Sequence, residues 1–64
     1  MDNTKLTSVK IIKSLYNSFK LATVNTKMTL QKITNRSIHL YMNDNNYKDI
    51  IETTDDLTVS GSNF

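Results

Sequence analysis

Sixty-four residues with no cysteine, no proline and one glycine make at most one small domain, and a chain this short buries only about 60% of the surface its unfolded form exposes. The missing cysteines exclude disulfides and thiolate metal sites, the lone His39 cannot make a zinc site, and no apolar stretch has signal-peptide or membrane-spanning length, so a cytoplasmic chain without cofactor is expected. The net charge of +2 is unevenly spread: residues 1–48 hold all eight basic side chains against Asp2 and Asp44, whereas residues 49–64 hold Asp49, Glu52, Asp55 and Asp56 and no base. Such a split suggests a basic body that meets a polyanion and an acidic tail that does not.

In chain order, residues 1–4 are expected to be a disordered arm. Residues 4–12 then alternate, with Thr7, Val9 and Ile11 on one face and Leu6, Ser8 and Lys10 on the other, and five of the nine are β-branched. Period two with that enrichment predicts a short strand. The spacing turns helical at Leu15, Phe19 and Ala22, with Ser14 as the expected N-cap. This first helix is expected to end near Val24, with Asn25 taking the left-handed conformation in a tight Asn25-Thr26-Lys27 turn.

Thr29 is a second N-cap candidate, opening a stripe of Leu30, Ile33, Thr34, Ser37, Ile38 and Tyr41 that predicts a helix from about Leu30 to Met42. Asn43-Asp44-Asn45-Asn46 breaks it, and Tyr47 to Glu52 is expected to add a helical turn. Residues 52–64, polar and weakly acidic, read as a flexible tail. A single strand cannot satisfy its own backbone groups, so its partner is expected from another copy of the chain. Leu15, Phe19 and Ala22 with Leu30, Ile33, Ile38 and Tyr41 then supply core or dimer interface, joined by Val9 and Ile11.

Val9 and Ile11 on a short N-terminal strand, Leu15-x-x-x-Phe19-x-x-Ala22 on a first helix, a tight turn, and Met28-Thr29-Leu30 opening a second helix resemble the ribbon-helix-helix repressors of the MetJ/Arc type, in particular their small plasmid-encoded members. The likeness covers about residues 5–47, with residues 5–51 as the expected DNA-binding domain. It implies a mainly α fold with one strand, an obligate homodimer held by an intermolecular two-stranded antiparallel ribbon. Such a ribbon fits the major groove of double-stranded DNA. The resemblance assigns base contacts to Leu6, Ser8 and Lys10, and phosphate contacts to Thr29 and Leu30 at the free amides opening the second helix, with Lys27 and Met28 beside them. Lys13 and Lys32 add charge nearby, while Lys20 and Arg36 cannot be oriented from sequence.

The acids have no nearby histidine and no glycine-rich loop, so catalysis is not expected. The leading expectation is a sequence-specific DNA-binding homodimer that represses transcription from plasmid promoters, with symmetric half-sites expected in the DNA it occupies. Its alternatives are a plasmid partition adaptor that recruits a second protein through the tail, and an antitoxin-like interaction module. The latter would need more apolar anchors than Leu57, Val59 and Phe64 offer.

Overall fold

A computed structural model describes residues 3–62. Three helices follow one another: α1 over Lys13–Ala22, α2 over Leu30–Asn43 and α3 over Asn45–Thr53. No strand is present among the described residues, and residues 3–12 carry no regular secondary structure. The expected ribbon-helix-helix class, with its intermolecular two-stranded ribbon, is therefore corrected to an all-helical chain. The physical reason lies in the backbone. Alternation of Thr7, Val9 and Ile11 against Leu6, Ser8 and Lys10 sorts side chains onto two faces, yet a strand exists only where a neighbouring strand takes its N–H and C=O groups. No such neighbour is present among the described residues, and the segment stays open to water, Leu6 being 99% and Val9 76% exposed.

The helix ends follow from short-range hydrogen bonds. α1 begins one residue before the expected cap: Ile12 occupies the N-cap position and its carbonyl accepts from the Tyr16 amide at 2.9 Å, with no side chain capping the free amides. Ser14 thus lies inside the first turn. At the other end the Thr23 hydroxyl donates to the Phe19 carbonyl at 2.9 Å, and the Thr26 hydroxyl donates to the Thr23 carbonyl while accepting from the Met28 amide. These hydroxyls close the turn without a left-handed residue. Asn25 accordingly has negative φ, as does every described residue other than Gly61.

α2 opens as its sequence predicts, with the Thr29 hydroxyl accepting from the Lys32 amide at 3.1 Å. Asp44 closes α2 through its own amide, which donates to the Leu40 carbonyl at 2.8 Å. The same residue caps α3, its carboxylate accepting from the Asn46 and Tyr47 amides at 3.0 and 3.2 Å. α3 is longer than the expected turn, because this cap satisfies the Asn46 and Tyr47 amides of its first turn and so offsets the weak helix preference of Asn45 and Asn46. Beyond it, the Asp56 carboxylate accepts from the Thr58 amide and hydroxyl, and the amides of Val59 and Ser60 reach the Asp56 carbonyl, so the stretch expected as a tail contains a turn.

Among the helices of the described residues, only α2 and α3 pack directly on each other. The phenol of Tyr41 on α2 donates to the Glu52 carboxylate of α3 at 2.6 Å, and the Lys48 ammonium sits 5.8 Å from the centre of the Tyr41 ring. None of the described residues is fully buried; Phe19, Met28, Tyr41 and Tyr47 are half-buried. The chain is correspondingly open. Its radius of gyration is 13.3 Å, against about 10.7 Å for a compact domain of this length.

Candidate nucleic-acid interface

The basic side chains gather where the turn after α1 meets the first turns of α2. Lys32 and Arg36 are one helical turn apart, and with Thr29, Gln31 and Asn35 they line a shallow open depression. The Lys32 ammonium donates to the Lys27 carbonyl at 2.9 Å, which folds its side chain back over the start of the helix. Two of its three N–H donors are left over. Lys27, on the turn, brings a further positive charge to this end of α2. The helix itself adds partial positive charge there. No acidic residue occurs in the first turn of α2 or of α1.

The site residues expected from sequence divide into those this geometry brings together and those it does not. Lys27, Met28, Thr29, Leu30 and Lys32 all lie at the opening of α2. Thr29 spends its hydroxyl on capping, which still leaves amides of the first turn free. Lys13 stands apart at the start of α1. Leu6, Ser8 and Lys10 lie on the exposed segment before α1 and share no regular face. Arg36, which sequence could not orient, is placed beside Lys32. The signal for it was the i, i+4 spacing of Lys32 and Arg36, away from the stripe of Leu30, Ile33 and Ser37. Lys20 belongs elsewhere, its ammonium 6.0 Å from the Tyr16 ring centre.

Of the residues expected at a dimer interface, Leu15, Leu30, Ile33 and Ile11 are each between a third and a half exposed, Phe19 and Tyr41 are half-buried, and Val9 and Ile38 are open to solvent. Tyr16, Leu40 and Met28 are comparably sheltered and were missed, although Leu40 falls on the Ile33–Ser37 side of α2 by its spacing. Among the described residues no group of three His, Cys, Asp or Glu side chains converges on a metal-sized site. Among the described residues no helix is long and apolar enough to cross a membrane. No family model, characterised protein or solved structure matches the chain.

Proposed function

We propose that the chain binds double-stranded DNA through the basic opening of α2 and acts as a repressor of transcription. The observation that carries this reading is the pairing of Lys32 and Arg36 along a depression that reaches Thr29 at the opening of α2, with no carboxylate in the first turn and Lys27 adjoining in the turn before it. Phosphate is the ligand this combination suits, since guanidinium, ammonium and helix amides all favour a doubly shared negative charge. The repeated phosphates of a duplex would engage several of these groups together, and Lys13, apart at the start of α1, could meet a further phosphate of the same duplex.

Phosphate contacts position a protein without reading sequence. Base reading falls in this proposal to the segment before α1. Lys10 can donate to guanine O6 and N7, Ser8 can donate or accept at most bases, and Leu6 can touch a thymine methyl. Their exposure suits an arm that enters a groove alongside a helix anchored on the backbone. Occupying an operator in this way would block a promoter.

The test is selection from a pool of randomised duplexes, followed by anisotropy titrations at several salt concentrations. Wild-type protein is expected to enrich a defined motif. The double substitution Lys32→Ala, Arg36→Ala should weaken binding to all sequences alike and flatten the log–log salt slope by about 2 per bound chain. Ser8→Ala with Lys10→Ala should instead erase the motif and largely keep the non-specific affinity. An unchanged slope in the first variant would overturn the phosphate site, and an unchanged motif in the second would overturn base reading by the arm.

A further inference from the structure

We draw no further inference here: the strongest candidate, the apolar face of Leu15 and Phe19 on α1 with that of Leu30 and Ile33 on the first half of α2, carries nothing because the structure does not show what covers it.

Discussion

Thr29 does two kinds of work within one residue. Its hydroxyl accepts from the Lys32 amide, and this cap fixes where α2 begins and so where the Lys32 and Arg36 side chains leave the backbone. Replacing it by alanine is expected to cost about 1 kcal/mol of helix stability, with Thr29→Ser retaining most of it. Circular dichroism under denaturant titration reads both. This cap was legible in the sequence because capping is a local matter: a hydroxyl, three residues and the start of an apolar stripe. Ser14 offered the same letters and failed, since Ile12 already stands at the N-cap and its carbonyl takes the Tyr16 amide. Nothing in the letters distinguishes a serine at a cap from one in the first turn. Asn25 failed differently, displaced by threonine hydroxyls that close the turn with ordinary φ angles.

At the scale of elements, the contact of α2 with α3 is tied to a pH-sensitive hydrogen bond. The Glu52 carboxylate accepts the Tyr41 proton, and this bond, with slight desolvation and the Glu52 charge, holds the Tyr41 phenol above its ordinary value of 10.0. A phenol raised in the folded state contributes stability that is complete below pH 10 and is lost as pH rises through the raised value. The docking of α3 is thus expected to persist to about pH 10 and loosen above it. Ultraviolet titration of the phenols beside far-ultraviolet dichroism checks this, and Tyr41→Phe should weaken docking at neutral pH and remove the Tyr41 part of the alkaline transition. Asp56 runs the other way: the Thr58 amide and hydroxyl hold its carboxyl below the ordinary 3.8, so its turn is favoured above that pH and lost as pH falls through the lowered value. α2 was legible because its stripe and cap agree. The strand was not, because alternation states which side chains share a face and is silent on whether a backbone partner exists.

For the molecule as a whole, the division of charge was legible and its arrangement was not. All eight basic residues precede Asp49, yet only the fold sets Lys32 and Arg36 along one depression in the first half of α2 and leaves Lys20 over Tyr16. The apolar residues show the same limit. Leu15, Phe19, Leu30 and Ile33 announce a core by their spacing, but whether a core closes depends on how much surface 64 residues can cover. Here the covering stops halfway, with the best-sheltered apolar side chains still open to water.

Asp44 ends one helix and begins the next, the single residue between them. Chain length at this joint is therefore a tighter constraint than side-chain identity. One added residue after Asn43 would turn α3 by about 100° about its axis, carrying Glu52 away from Tyr41 and Lys48 away from the same ring. Such an insertion is expected to undock α3, read as loss of slowly exchanging amides in residues 45–53, whereas one added residue beside Asn25, in the turn closed by threonine hydroxyls, should leave α2 and α3 together. The two connections of this small chain thus differ in kind, one a spacer that tolerates drift in length and the other a phase-setting joint that does not.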